Sequence, residues 1–473
     1  MDSSCSELSN KRPILEDEPT FSEFKDVAIN ALPKDEESFN VAIDALLKQS
    51  KGHLHWKHKI ARVPLLLRNS ASNSTDYNPR MVSIGPYHHA KPELQAAEKL
   101  KPVIANLIAP ERSKILYEFY SLVLPRVTHL KSHYEKGSTN KYSDEDFATM
   151  MLWDGCLVLA MIEACTSLTS NDAGQKYKEE IQCLGNHAFG CFISDALFLM
   201  ENQLPFEVLQ LLMMLKYEDG GMSLMSAFVD EEIYWNYNPN REIKVDVKST
   251  LEEEQPIHLL ELLTISHRRI NFPNKQWISS SSTQKYSVQE MYSYFRSISE
   301  LKAKGIFVKC SNSPLATSIK FKYFFFFGVL YLPYIAISPE SRIFISNYIA
   351  YELSRRDTDL ITAKTMFMKS LINTSNDVKE LRSRRILINE KSSSDEEVVS
   401  VISSITICTT SVSKMYEKVR DQIEDHCNSK VKKWMAELIY KNLNSPWAFI
   451  AFLAGIVVVV MTCIQAYFAA FPQ

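Results

Sequence analysis

Glycine is scarce in this chain, with 12 residues in 473. A phosphate-cradling loop needs glycine where backbone N–H groups must approach an anion closely. The nearest candidate, GNHAFGCF from Gly185, lacks the Lys-Ser/Thr that would complete it, which removes a nucleotide-binding reading. The nine cysteines are an odd number and include no Cys-x-x-Cys pair. Neither a disulfide framework nor a structural zinc site is indicated, and reduced, buried thiols are expected. Lysine and arginine total 53 against 56 aspartates and glutamates, a formal charge of −3, and no long basic block is present. The electrostatic footprint of a nucleic-acid binder is therefore missing, and nucleic acid is not an expected partner. Without His-Glu-x-x-His or Gly-x-Ser-x-Gly, the zinc-protease and hydrolase-elbow readings lack their minimum residues. No cofactor or metal is expected. Residues 1 to 30 hold no apolar stretch longer than a few residues, so no cleavable secretory signal is visible there.

What the chain does have is a long apolar run. From Trp447 to Ala469 it reads WAFIAFLAGIVVVVMTCIQAYFA, without a formal charge. At about 1.5 Å per residue such a helix spans a hydrocarbon core of about 30 Å, so a transmembrane helix is expected over residues 446–469. Asn444 or Ser445 caps its start, and Pro446 stands at a first-turn position where its missing N–H is harmless. A second apolar stretch, YFFFFGVLYLPYIAI at 323–337, is too short to span and holds Gly328 and Pro333. It reads as two short buried strands.

The remainder reads as mainly α: a large helical domain with a few short strands. Phe39, Ala42, Ile43, Leu46 and Leu47 form one helical stripe, and residues 113–135 continue the pattern around a break at Pro125. Ser143, with Asp146 three residues on, opens a helix whose apolar face holds Phe147, Met150, Met151, Val158, Met161 and Ile162. Residues 218–255 and 271–287 read as exposed loops or insertions. From Val412, apolar positions recur every three or four residues through Leu438, which predicts one amphipathic helix over 410–442. The expected organisation is a variable region at 1–50, a helical domain at 51–405, a juxtamembrane amphipathic helix at 406–445 and the membrane helix.

Three polar constellations invite chemistry. Asp154, in MLWDGCLVLAMIEA, lies on the apolar face of its own helix, where an unpaired carboxylate is costly. Glu201, Asn202 and Gln203 interrupt the apolar run ALFLMENQLPFEVLQLL. Asn202 and Gln203 are expected to cap a helix restarting at Pro205, with Glu201 paired to a cation. Arg62 is the first choice for that cation, ahead of His88 and Lys101. The third is MVSIGPYHH at 81–89. A Cys156–His88 pair oriented by Asp154 has the groups for nucleophilic catalysis, but a thiol in the middle of an apolar helix stays protonated. His88 and His89 are adjacent, so their side chains diverge and make a poor metal pair. The stretch reads as a Gly85-Pro86 turn, with Tyr87 and one histidine hydrogen-bonding at the core boundary. Arg62, His88, Asp154, Glu201 and Asn202 are thus expected to form a structural polar core.

Eight segments in order carry a family resemblance: RVPLLLRN, YNPRMVSIGPYHH, MLWDGCLVLAMIE, MENQLPFEVLQLL, ELKAKGIFVKC, FISNYIAYE, FMKSLINTSNDVKELRSRRI and the C-terminal SPWAFIAFLAGIVVVVMTCIQAYFA. Together, over roughly Ile60 to Phe468, they resemble the plant family called domain of unknown function 247, an uncharacterised protein family. The resemblance implies a land-plant protein, a mostly helical domain and one C-terminal membrane helix, and it supplies no established catalytic residues. Some grass relatives are associated with self-incompatibility recognition, a role that belongs to those members. Where relatives tend to show Cys-Tyr after the third helix, this chain has SHYEKG, with His133 before Tyr134, which argues against a disulfide or redox role there.

The functional expectation is a membrane-tethered, noncatalytic interaction or signalling component with a protein partner. The alternative is an enzyme of unrecognised class using His88, His89, Asp154 and Glu201; a third reading is an oligomeric pore or trafficking anchor. Ala451 and Gly455, four apart on the membrane helix, form a small-xxx-small pattern that suits weak self-association in the bilayer. Lys430, Lys432, Lys433 and Lys441 precede the span, whereas the four residues after it carry no charge. By the positive-inside tendency the large domain faces the cytosol on a C-terminal anchor, with the plasma membrane as the expected site. Two glycosylation triplets, at Asn73 and Asn373, would be usable only on the opposite side.

Overall fold

A computed structural model describes residues 59–69, 75–109, 113–166, 171–235, 245–272, 296–312, 315–324, 327–338, 340–355, 359–389, 394–407, 414–428 and 446–470. The chain separates into two units, Met1–Lys57 and His58–Gln473, and all described residues belong to the second. The expected stripe at 35–50 lies outside them.

The first core is helical. It contains α1 (Lys101–Ile108), α2 (Ser113–Val123), α3 (Val127–Ser132), α4 (Asp144–Cys165), α5 (Asn171–Gln182), α6 (Ala188–Phe198), α7 (Phe206–Lys216), α8 (Met222–Trp235), α9 (Val247–Glu254) and α10 (Leu259–Asn271). Helix α4 is its axis, packed by α1, α2, α5, α6, α7 and α8. Its start follows the sequence signal, since Ser143 accepts the Asp146 amide and three acidic residues occupy the first turn, where they complement the helix dipole. The expected single apolar face understates it. Nearly every position from Phe147 to Glu163 is buried, the pattern of a helix surrounded by protein rather than lying on a surface. Among the described residues α4 is also the helix long and apolar enough to cross a membrane, but 83% of that window is buried inside the protein.

The break at Pro125 is present as the one-turn 3₁₀ segment Leu124–Arg126 between α2 and α3, because proline can start a helix but cannot donate within one. Residues 218–255 depart from expectation. They hold α8 and α9, whose Phe228, Val229 and Val247 are buried. Of the acidic residues there, Glu252, Glu253 and Glu254 are exposed on α9, whereas Asp230, Glu231 and Glu232 on α8 are half-buried.

The second core is mixed. It contains α11 (Ile298–Ala303), β1 (Ile306–Cys310), β2 (Lys320–Phe324), β3 (Phe327–Leu332), β4 (Ile335–Ile337), α12 (Ser341–Arg355), α13 (Leu360–Leu371), α14 (Ser375–Ser383), β5 (Leu387–Asn389), α15 (Asp395–Ser404) and α16 (Glu417–Asn428). Strand β3 lies between β1, parallel to it, and β2, antiparallel to it; β4 pairs in parallel with β5. The run at 323–337 therefore supplies the end of β2 and all of β3 and β4, rather than two strands. Pro333 falls in the gap between β3 and β4, where no ladder amide is needed. Helix α12 joins the two halves: its Tyr348 and Tyr351 belong to the first core, and the helix packs on α13.

Of the amphipathic helix expected at 410–442, a 3₁₀ turn (Lys414–Tyr416) and α16 are described; α16 buries Ile423 and Cys427 in the second core. Residues 429–445 lie outside the described ones. The C-terminal helix α17 runs Pro446–Ala470. Its fully described apolar stretch is the shorter Ala454–Tyr467, at about 1.5 Å per residue less than a bilayer core, so a shorter apolar helix stands where the transmembrane span is expected, and the span itself is not shown. Ala451 and Gly455 are exposed on it, and a Cβ at Gly455 would meet nothing within 4 Å.

Candidate functional site

Residues 82–86 are buried yet belong to no strand ladder. A buried backbone without a ladder must find other partners for its N–H and C=O groups. Here side chains supply them. One carboxylate oxygen of Asp195, on α6, accepts the amides of Arg80 (2.7 Å), Met81 (2.6 Å) and Val82 (3.3 Å). Asn202 accepts the Ile84 amide at 2.7 Å and donates to the Val82 carbonyl at 3.0 Å. Asp154, on α4, accepts the Gly85 amide at 2.7 Å. Lys101 donates to the Ser83 carbonyl at 2.7 Å, and Tyr142 to that of Pro86 at 3.1 Å. The turn itself requires glycine, since Gly85 has φ +69° and a Cβ there would lie 2.7 Å from the Gln203 carbonyl oxygen.

Glu201 does the same for a neighbouring segment, accepting the Val63 amide at 2.7 Å. Its cation is Arg68 at 2.7 Å, with His88 Nε2 at 3.4 Å from the other oxygen. Arg62, the expected partner, is not. Its side chain is half exposed, lies 3.8 Å from Glu135 and stacks its guanidinium 4.6 Å from the Tyr87 ring centre. Arg68 stands six residues further on, at the end of the short helix Leu65–Arg68. Lys101 is also placed differently from expectation, 2.6 Å from Asp154.

Asn202 and Gln203 are caps, but of the preceding helix end rather than the following start. Asn202 donates to the Asp195 carbonyl, and Gln203 to those of Leu197 and Leu199, which takes up carbonyls left open where α6 ends. Gln203 also accepts the Leu260 amide in the first turn of α10. Helix α7 starts at Phe206, after Pro205, without a side-chain cap.

Three buried carboxylates thus sit in three electrostatic settings. Burial pushes the Asp154 carboxyl up, with Lys101 opposing. Burial also pushes Asp195 up, to about 6, against three amides and Arg80. At Glu201 the burial effect is outweighed by His88, Arg68 and the Val63 amide, which hold the carboxyl down at about 2. His88 is pushed down by burial, so at neutral pH it is an uncharged ring that can still donate to Glu201. His89 points to another carboxylate, Glu98, at 3.9 Å, so the two adjacent histidines do not converge. The Cys156 thiol is fully buried and pushed up to about 12, leaving no thiolate at neutral pH.

A second buried hub was missed. Glu163, on α4, receives the Tyr177 hydroxyl at 2.5 Å, the Tyr217 hydroxyl and the Lys216 ammonium. The signal was the helix itself: where all faces are apolar, any carboxylate needs a partner.

One cavity, of about 110 Å³, is lined from both cores, by Phe198 and Tyr348 on one side and Ile337 and Met368 on the other. Lys364, His267 and Glu232 reach it. Burial lowers Lys364 to about 8 and His267 to about 3, and raises Glu232 to about 8. Pockets for substrates and cofactors hold roughly 300–1,000 Å³. This one has room for a group of about benzene size, which does not favour it as a substrate site.

The family model described as "Plant protein of unknown function" (DUF247) matches residues 60–461, and the chain belongs to that family. The chain is similar to the UPF0481 protein At3g47200 of Arabidopsis thaliana, 26% identical over 434 residues, covering 84% of this chain and 83% of the relative. No solved structure matches.

Proposed function

We propose that this family member is a membrane-tethered, noncatalytic interaction or signalling component, its large domain presented to a protein partner from a single C-terminal anchor. The observation that carries the noncatalytic half is the use made of the candidate catalytic groups. Asp154 and Glu201 are spent on backbone amides and on the cations Lys101 and Arg68, His88 lies buried 3.4 Å from Glu201, His89 turns to Glu98, and the one thiol beside them is buried and protonated. An enzyme built from His88, His89, Asp154 and Glu201 would have to break the contacts that hold its own scaffold.

The tether rests on α17. It is a 25-residue helix without a charged residue, about 37 Å long at 1.5 Å per residue, and its described side chains from Ala454 to Tyr467 are exposed. The four lysines between 430 and 441 favour a cytosolic domain, at the plasma membrane. Ala451 and Gly455 offer a face for weak self-association.

Expression of the full chain beside a chain ending at residue 445 tests the tether. The full chain should stay with membranes through alkaline carbonate washing, and the shortened one should be released. Protease added to sealed, cytosolic-side-out vesicles should digest the large domain. A full chain recovered in the soluble fraction overturns the tether, and a protected or glycosylated domain overturns the orientation.

A further inference from the structure

Away from the buried polar network, three side chains converge at the surface where α3 ends. His129 and His133 stand four apart, so their rings leave the same side of the helical turn. The Nε2 atoms are 3.3 Å apart, with ring centres 4.8 Å apart and planes at 78°. From the first turn of α7, Glu207 brings Oε2 to 3.4 Å from His129 Nε2. All three atoms lie within 4.8 Å of one another.

We propose that His129, His133 and Glu207 form a binding site for a divalent transition metal of the zinc class. Zinc bonds of about 2.0–2.1 Å arranged tetrahedrally leave neighbouring ligand atoms about 3.3–3.4 Å apart. Two of the three edges of this triangle already have that length, so a metal enters with a small movement of Glu207 toward His133. Two imidazoles and one carboxylate select zinc, nickel, cobalt or copper over magnesium or calcium, which take mostly oxygen ligands. Three protein ligands leave a fourth vertex, and with the His129 side chain 62% exposed that vertex faces solvent and takes water.

The backbone holds the ligands in place. The His133 carbonyl accepts the Ile60 amide at 2.7 Å, and the adjoining Tyr134 is buried and donates to the Gln203 carbonyl at 3.1 Å. Gln203 lies four residues before Glu207, so one hydrogen bond ties the two ligand-bearing segments together. Helix α7 is fixed by buried Val208, Leu209 and Leu212. Arg126 lies 3.4 Å from Glu207 Oε1, the oxygen opposite the one nearest His129, and it also donates to the Leu122 carbonyl at 2.7 Å. It orients the carboxylate so that Oε2 faces the rings. A site on rigid elements with oriented ligands loses little freedom on binding.

The test uses the full chain in detergent, stripped with chelator and carrying Cys183→Ser to remove an exposed thiol. Zinc is titrated by calorimetry, and cobalt is used as the spectroscopic probe. One equivalent of zinc should bind, and cobalt should give the intense visible bands of a tetrahedral complex. His129→Ala and Glu207→Gln should each weaken binding at least tenfold, the scale on which even outer-shell partners act. Both residues are exposed enough for the chain to fold without them, which an unchanged melting temperature of the metal-free variants verifies. Retention of the parent affinity by either variant, or weak octahedral cobalt bands in the parent, overturns the site.

Discussion

Replacing Glu201 by glutamine tests whether the buried carboxylates hold this fold. Glutamine keeps the shape and an acceptor for the Val63 amide but loses the charge facing Arg68. The carboxyl is held at about 2 against an ordinary 4.5, and each unit corresponds to about 1.4 kcal/mol. The ionised form therefore contributes on the order of 3 kcal/mol. Glu201 is buried, so solvent screens the contact little on its side, while the partly exposed Arg68 trims the figure toward about 2. The sign follows from the lowered pKa: the contribution is present above the unfolded value near 4.5 and is lost as pH falls from there toward about 2. Urea unfolding of the full chain in detergent, followed by tryptophan fluorescence, should place Glu201→Gln about 2–3 kcal/mol below the parent at pH 7. The gap should narrow between pH 4.5 and 3. A gap that is absent at pH 7, or that stays constant down to pH 3, refutes the assignment of Glu201 as an ionised structural group.

The same network makes three further claims. Gly85→Ala should destabilise by about 2–5 kcal/mol, because it adds left-handed strain to a clash with the Gln203 carbonyl; an unchanged thermal midpoint counts against the turn. Asp154→Ala should cost a similar 2–5 kcal/mol by orphaning the Gly85 amide and part of the Lys101 charge, measured by the same unfolding assay. Asp195→Asn should remove a pH dependence of the opposite sign. The raised carboxyl makes the parent lose about 3 kcal/mol as pH rises from near 3.8 through about 6, and that fall should appear in the parent-minus-variant difference across the window; a difference that does not change with pH refutes the assignment.

Local signals reached some of this architecture and stopped at others for physical reasons. Ser143 and Pro125 could be read because a cap and a helix break are decided within a turn or two. The burial of Asp154 and Glu201 could be read because a carboxylate inside an apolar helical run has nowhere polar to go. Partner identity could not. Arg62 and Arg68 are both near the head of the same segment, and which one reaches Glu201 depends on the one-turn helix Leu65–Arg68, a tertiary outcome. Asn202 and Gln203 looked like starters for the helix after Pro205. The carbonyls left open behind them, at the end of α6, and the Leu260 amide from a distant element had the stronger claim. The encirclement of α4 was hidden for a related reason. A moderate apolar stripe and a fully surrounded helix differ mainly in what the other helices contribute.

The placement of these partners explains why the polar motifs occur as a set. Tyr134 reaches the Gln203 carbonyl, and that same oxygen occupies the space a side chain at position 85 would need. Gly85 gives its amide to Asp154, whose second oxygen meets Lys101, and Lys101 in turn takes the Ser83 carbonyl. Each contact limits the next, so the GPYHH, WDG, ENQ and SHY segments are four sides of one structure. The carboxylates of this network are engaged with backbone amides and cations of the scaffold itself, so a change at any one of them is felt by the others.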